Sequence, residues 1–146
     1  MEVMFVNTIH ETITVTYKLF SILIPKAGLL FEQIWDSELA MKANELGAKL
    51  CTNNHSNLDM RNTMQRKCVH QNVIVSNDDY SIAVLSWMME SQYYNIETNR
   101  CNVVNGCENF QNMILPGTVY LGCGIHYCPQ LSTTEKQLIV CNYSPE

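Results

Sequence analysis

The sequence predicts an α+β fold in which helices pack around a small antiparallel sheet. Two segments, residues 37–50 and 80–94, carry apolar residues at helical spacing. Two runs near the C-terminus, residues 119–128 and 137–144, alternate in the way that strands do. At 146 residues, 47% of them hydrophobic and 16% charged, the chain is long and apolar enough for one compact domain.

The first helix is predicted to follow a cap formed by Asp36 and Ser37. An apolar face recurs along it at helical spacing. The residues after it, 52–68, are rich in Asn, Ser and Arg without a sustained period, and are predicted to form a loop. The expected face consists of Leu39, Met41 or Ala43, Leu46 and Leu50.

The second helix is predicted to begin after the capping residues Asn-Asp-Asp at 77–79. A short strand over residues 72–76 precedes it, and a further short helix over 108–115 ends at Pro116. The broad apolar face expected of the second helix consists of Ile82, Val84, Leu85, Trp87, Met88 and Met89.

Charge and cysteine content narrow the class of protein. The net charge of −5 and the scattered Lys and Arg give no basic stripe, so nucleic acid is not an expected partner. Seven cysteines are many for a reducing compartment and typical of an oxidising one. We therefore expect an extracellular, disulfide-braced protein.

The N-terminal segment is atypical for such a protein. Residues 1–16 contain Glu2 and Glu11 and lack a basic region leading into an apolar stretch, so no ordinary signal peptide is visible. The apolar run at residues 19–24 is far shorter than the ~20 residues of a membrane span, and no transmembrane span is expected.

The C-terminal strands carry motifs of a known family. Residues 138–145, Leu-Ile-Val-Cys-Asn-Tyr-Ser-Pro, and residues 118–128, with Gly-Cys-Gly and a cysteine five residues on, resemble two signatures of the CAP superfamily. This superfamily comprises cysteine-rich secretory, antigen 5 and pathogenesis-related 1 proteins. Blocks at residues 35–40 and 87–94 match as well, and the closest resemblance is to glioma pathogenesis-related 1-like proteins.

The resemblance implies an α-β-α sandwich with the small antiparallel sheet between helical layers. We expect residues 1–15 to be an atypical N-terminal segment and residues 16–146 to be the CAP domain, truncated at its C-terminal end. The family's disulfide pattern implies three bridges and leaves Cys68 unpaired, available to link two chains. The implied pairs are Cys51 with Cys128, Cys123 with Cys141, and Cys101 with Cys107.

Family members commonly present two His and two Glu in a central cavity, and this sequence keeps only half of them. His55 and Glu90 occupy two of the positions, whereas Gln71 and Asn109 stand where a Glu and a His are usual. An amide is neither a general base nor a substitute for a histidine ligand. We therefore expect no catalytic site, no bound metal and no cofactor, and a Glu90 carboxylate with few partners.

The spacing of cysteines and histidines also fits other arrangements. In a reducing compartment, Cys51 with His55 and Cys123 with Cys128 would be spaced as halves of a structural zinc site. His70 lies next to Gln71 but is expected to face away from it, because neighbours on a strand face opposite sides. His126 faces opposite Cys123 and is expected to be partly exposed rather than a ligand.

The expected function is a secreted, non-enzymatic binding module that contacts a protein or a lipid such as a sterol. A metal-dependent hydrolase and a degenerate copy with little function are the alternatives. Two sequons are present, at Asn54 and Asn142. Asn54 is the expected glycosylation site because it lies in the predicted loop, whereas Asn142 is interpreted as a structural strand residue.

Overall fold

A four-stranded mixed sheet forms the centre of the described chain. In the computed structural model the described residues are 11, 33–51, 66, 68–77, 80–115, 117–129 and 137–145. A 3-10 helix, Glu90–Tyr93, continues α2. In chain order the other elements are β1 (Ile34–Trp35), α1 (Ser37–Cys51), β2 (His70–Ser76), α2 (Tyr80–Met89), β3 (Tyr94–Asn95), β4 (Arg100–Cys101), α3 (Glu108–Ile114), β5 (Thr118–Tyr127) and β6 (Gln137–Pro145).

The sheet has the strand order β1-β5-β6-β2. The predicted pairing of the two C-terminal strands is confirmed, since β5 and β6 run antiparallel with Cys123 opposite Cys141. Strand β2 pairs antiparallel with the other edge of β6. The sheet predicted as antiparallel is mixed at one edge, because β1 pairs parallel with β5. A two-residue strand carries no periodicity from which it could have been predicted.

Helix α1 begins at the predicted cap and packs on one face of the sheet. The Asp36 Oδ1 accepts the backbone N–H groups of Glu38 and Leu39, each at 2.9 Å, which satisfies two unpaired donors of the first turn. Met41 is half exposed, so Ala43 is the residue that continues the predicted face. The buried residues of the helix are Leu39, Ala40, Ala43, Leu46, Gly47 and Cys51.

Helix α2 buries a narrower face than predicted. Trp87 and Met88 are buried as expected, and so is Ala83, which was not in the predicted set. Ile82, Leu85 and Met89 are instead 49%, 47% and 54% exposed. A segment that is apolar all round does not reveal which side faces the core, and the packing of the other elements decides it. The α-helix also ends at Met89, before the predicted boundary at Tyr94.

The two faces of the sheet are covered by different helices, as the α-β-α sandwich requires. On one face, α2 and α3 pack against Leu121, Ile139 and Tyr143. On the other, α1 packs against Leu138 and Val140. Every residue of β6 from 138 to 144 is buried, because both of its faces lie under helices.

Three disulfides are present, and they join the pairs that the resemblance implied. Cys51 is bonded to Cys128, Cys101 to Cys107, and Cys123 to Cys141. Cys68 is exposed and unbonded. Within the described ranges, no helix has the length and apolar content needed to cross a bilayer. The boundary expected at residues 15 and 16, the loop residue Asn54 and the cavity residue His55 lie outside the described residues.

Candidate binding site

Three of the four expected cavity residues are described, and each lies on a different element. Glu90 opens the 3-10 helix, Asn109 is the second residue of α3, and Gln71 is the second residue of β2. Glu90 and Asn109 come into direct contact. Gln71 is linked to them only through other residues.

Both oxygens of the Glu90 carboxylate accept hydrogen bonds from the start of α3. Its Oε1 accepts the side-chain N–H of Asn109 at 2.8 Å, and its Oε2 accepts the backbone N–H of Phe110 at 3.0 Å. The residue before the helix, Cys107, makes no capping bond with its side chain, because its sulfur is in a disulfide. Glu90 thus caps α3 from a distant position in the chain. The expectation that Glu90 has few partners is wrong.

A chain of amide side chains continues from Asn109 into the sheet. The buried Asn72 donates its side-chain N–H to the carbonyl of Asn109 at 2.9 Å. The side-chain amide of Asn112 donates to Asn72 Oδ1 at 3.0 Å and to the carbonyl of Gln71 at 3.1 Å. These contacts fix α3 against β2 and satisfy polar groups that would be costly to bury unpaired.

The side chain of Gln71 lies on the opposite face of the sheet from Glu90 and Asn109. Its Nε2 donates to Asn142 Oδ1 at 2.7 Å, and the Asn142 amide donates to the carbonyl of Leu39 in α1 at 3.1 Å. Alternation along β2 explains this, since Asn72 faces α3 and its neighbour must face α1. The three described positions therefore do not form one cluster.

The network offers hydrogen bonding rather than acid–base chemistry. Its amides are neutral, and its described carboxylate already accepts two hydrogen bonds. Asn142 is fully buried, in agreement with the structural interpretation of that sequon. The residues that sequence reasoning missed are Asn72 and Asn112, although an Asn directly before the apolar run at 73–75 is a usable signal for the first of them.

A cavity of about 390 Å³ lies on the α3 side of the sheet. His70 lines it, so this imidazole does face away from the Gln71 side chain. Burial raises the pKa of the Tyr94 phenol, which donates a hydrogen bond to Asn99 Oδ1 at 3.3 Å. The cavity is thus a mixed polar and apolar pocket. Its lining consists of His70, Tyr94, Ile96, Asn99, Gln111, Asn112, Ile114 and Leu115.

The zinc site hypothesised from cysteine spacing does not form from the described residues. Cys123 is bonded to Cys141 on the α2 and α3 face, whereas Cys51 and Cys128 meet on the α1 face. Among the described residues, His126 is the metal-ligating side chain that lies beside Cys51 and Cys128.

Known proteins resemble this chain in sequence. Mouse peptidase inhibitor 16 is 31% identical over 127 residues, which are 83% of this chain and 24% of that protein. Human cysteine-rich secretory protein 2 is 30% identical over 125 residues, covering 83% of this chain and 49% of that protein. Mouse GLIPR1-like protein 1 is 37% identical over a shorter stretch of 62 residues, 42% of this chain and 25% of that protein. The chain therefore spans half or less of these relatives.

Solved structures show the same architecture. The Schistosoma mansoni venom allergen-like protein 4 superposes with a TM-score of 0.70 at 25% identity, over 92% of this chain and 86% of that one. A hookworm platelet inhibitor shares the fold with a TM-score of 0.55 at 21% identity, over 93% and 68% of the two chains. The model of the CAP family, described as the cysteine-rich secretory protein family, matches residues 33–143. With the disulfides, the sandwich and this match in agreement, the chain belongs to the CAP family.

Proposed function

We propose that this chain is a secreted, non-enzymatic binding domain that contacts a protein or lipid ligand and has lost part of the family's central site. The observation that carries the proposal is the contact between Glu90 and Asn109. A carboxylate that would orient an imidazole in a complete site is instead hydrogen-bonded to an amide and to the start of α3.

The replacement of a Glu by Gln71 supports the same conclusion. Gln71 is neutral, and its amide is held by Asn142 on the α1 face of the sheet. A hydrolase needs a base that accepts a proton. It also needs a metal or a hydrogen-bond donor that stabilises the charge developing in the transition state. The amides of the described network are not bases, and their side-chain N–H groups already donate to other protein groups.

Exposed apolar side chains on α2 support a role in binding. Ile82, Leu85 and Met89 are each about half exposed, and their spacing places them along the outer side of the helix. Apolar side chains grouped on one surface favour contact with a protein or with lipid. The exposed thiol of Cys68 adds a second proposal, a disulfide-linked dimer.

Zinc titration by calorimetry on the oxidised protein tests whether the site is lost. We expect the wild type to bind zinc no better than scattered histidines do, because one imidazole without a partner is a weak site. Asn109→His should raise the affinity, since Glu90 is placed to accept a hydrogen bond from an imidazole there. Tight stoichiometric binding by the wild type that vanishes in His55→Ala would contradict the proposal and favour the hydrolase.

Co-sedimentation with phosphatidylcholine vesicles, with and without cholesterol, separates the two ligand classes. If the ligand is lipid, the wild type sediments and Leu85→Ser weakens that binding at least threefold. Val73→Ser is the matched control, because Val73 is also an exposed apolar residue, 37% exposed, but lies on β2. Failure of the wild type to bind either vesicle would assign the ligand to the protein class.

A further inference from the structure

Three metal-ligand side chains converge where α1 ends. Cys51 is the last residue of α1, His126 is the second-last residue of β5, and Cys128 directly follows that strand. Their ligand atoms all lie within 4.8 Å of one another. Cys51 and Cys128 are 5% and 0% exposed, and His126 is partly buried. The cluster is therefore enclosed, and it lies on the sheet face opposite Glu90 and Asn109.

Packing of α1 fixes the position of the imidazole. A β-carbon added at Gly47 would lie 2.9 Å from the β-carbon of His126, so the helix backbone rests directly on this residue. His126 is paired with Leu138 on β6, which is itself buried under α1. The imidazole is thus held beside the two sulfurs by the helix and by the sheet.

We propose that reduction of the Cys51–Cys128 disulfide converts this cluster into a zinc site with two cysteine ligands and one histidine ligand. Three Cys and His ligands with an open fourth position for water form a recognised kind of zinc site. The proposal is independent of the proposed function, because it uses none of the residues of the Glu90 network.

The reaction balances with a dithiol as the reductant. Thiol–disulfide exchange breaks the bond between the two sulfurs, and the dithiol gives up two electrons and two protons and leaves as a cyclic disulfide. Cys51 and Cys128 are then thiols. Binding of Zn²⁺ releases those two protons to solvent and leaves two thiolates and a neutral imidazole on the ion.

The electrostatics of the site favour the ion. Two thiolates and Zn²⁺ sum to no net charge, which lowers the cost of placing them among buried residues. Helix α1 spans 15 residues and ends at Cys51, and the carbonyl end of a helix carries partial negative charge that favours a cation.

Cobalt titration of the reduced full chain tests the proposal directly. The protein is reduced with a dithiol, desalted without oxygen, and titrated with Co²⁺, whose visible and near-ultraviolet bands report tetrahedral thiolate coordination. We expect one equivalent to bind, Zn²⁺ to displace it, and oxidised protein to show no such bands. His126→Ala should weaken binding at least about tenfold, the loss that even an outer-sphere partner can cause, and Cys51→Ser should remove the thiolate bands.

Matched controls separate this cluster from Cys68 and from the Cys123–Cys141 pair. Cys68→Ser and the double change Cys123→Ala with Cys141→Ala should leave the Co²⁺ spectrum and stoichiometry unchanged. Gly47→Ala should weaken binding, because its β-carbon displaces His126 while leaving every ligand present.

Circular dichroism of the reduced chain covers the case in which reduction unfolds it. We expect Zn²⁺ to restore the oxidised spectrum, since metal that binds only the folded chain stabilises it. A reduced chain that binds no stoichiometric Co²⁺, or that binds it equally well in His126→Ala, would overturn the proposal. A chain that stays unfolded with Zn²⁺ present would overturn it as well.

Discussion

A hydrogen bond of 2.8 Å from Asn109 Nδ2 to Glu90 Oε1 joins α3 to the 3-10 helix that follows α2. The same carboxylate accepts the backbone N–H of Phe110, so one side chain fixes both the start of a helix and the amide beside it. Glu90 and Asn109, which the resemblance places at two cavity positions, hold two helical elements together.

Removal of the Glu90 carboxylate should destabilise the fold. We expect Glu90→Ala to lower the free energy of unfolding by about 2 to 3 kcal/mol, because hydrogen bonds to charged groups contribute about 1.5 to 3 kcal/mol and Glu90 is only partly buried. Glu90→Gln retains one acceptor and should cost about 1 kcal/mol. Urea unfolding measures both.

The control is Glu108→Gln, which changes an exposed carboxylate in the first turn of the same helix. It should stay within about 0.5 kcal/mol of the wild type. Equal losses for Glu90→Ala and Glu108→Gln would show that Glu90 does not cap α3.

Truncation of Trp87 should cost much more stability than truncation of Leu85, although both are large apolar residues of α2. Trp87 is 2% exposed, and Trp87→Ala should cost about 3 to 5 kcal/mol by leaving a cavity beneath the helix. Leu85 is 47% exposed, and Leu85→Ala should cost less than about 1 kcal/mol. Thermal unfolding distinguishes them, and similar losses would mean that the buried face of α2 is assigned wrongly.

Gly122→Ala should disrupt the contact between the sheet and α1. The added β-carbon would lie 2.2 Å from the backbone nitrogen of Ala40 and 2.6 Å from the carbonyl oxygen of Asp36, and neither backbone atom can rotate away. We expect a loss of about 3 kcal/mol or more, at the upper end for overpacking. Gly106→Ala is the control, because its β-carbon would meet the Val103 side chain at 3.0 Å. Denaturant midpoints that fall equally in the two variants would contradict this account.

Acid should weaken the contact between Asp36 and Arg66. Burial by itself raises the pKa of Asp36, but the N–H of Leu39 and the guanidinium of Arg66 outweigh burial and hold the pKa below its ordinary value of 3.8. A carboxyl whose pKa is lower in the folded state contributes stability above its unfolded pKa and loses it as pH falls through the folded value. Asp36→Asn keeps a capping oxygen and loses the ion pair of 2.7 Å.

We therefore expect Asp36→Asn to be about 1 to 2 kcal/mol less stable than the wild type at neutral pH, with the difference shrinking below pH 3.8. Urea unfolding across this range measures it. Glu45→Gln, which removes an exposed ion pair with Lys42 on the same helix, is the control and should change little at any pH. A difference for Asp36→Asn that grows on acidification would reverse the sign of the argument.

The C-terminal hairpin and α1 were predictable because their signals are local. Alternation over residues 119–128 and 137–144 predicts two strands, and Asp36 precedes a helical apolar pattern as a cap should. Strand β1 was not predictable, since its two residues form a strand only where β5 supplies a partner.

Motifs, periodicity and residue chemistry are properties of the chain, so the family, the α+β class and the side chains at the expected cavity positions could be predicted without a structure. The folded structure was needed to show which face of α2 is buried, that the side chains of Gln71 and Asn109 lie on opposite sides of the sheet, and that His126 lies beside Cys51 and Cys128. These relationships join residues far apart in sequence. They depend on how the helices pack against the sheet, and no local sequence pattern encodes that packing.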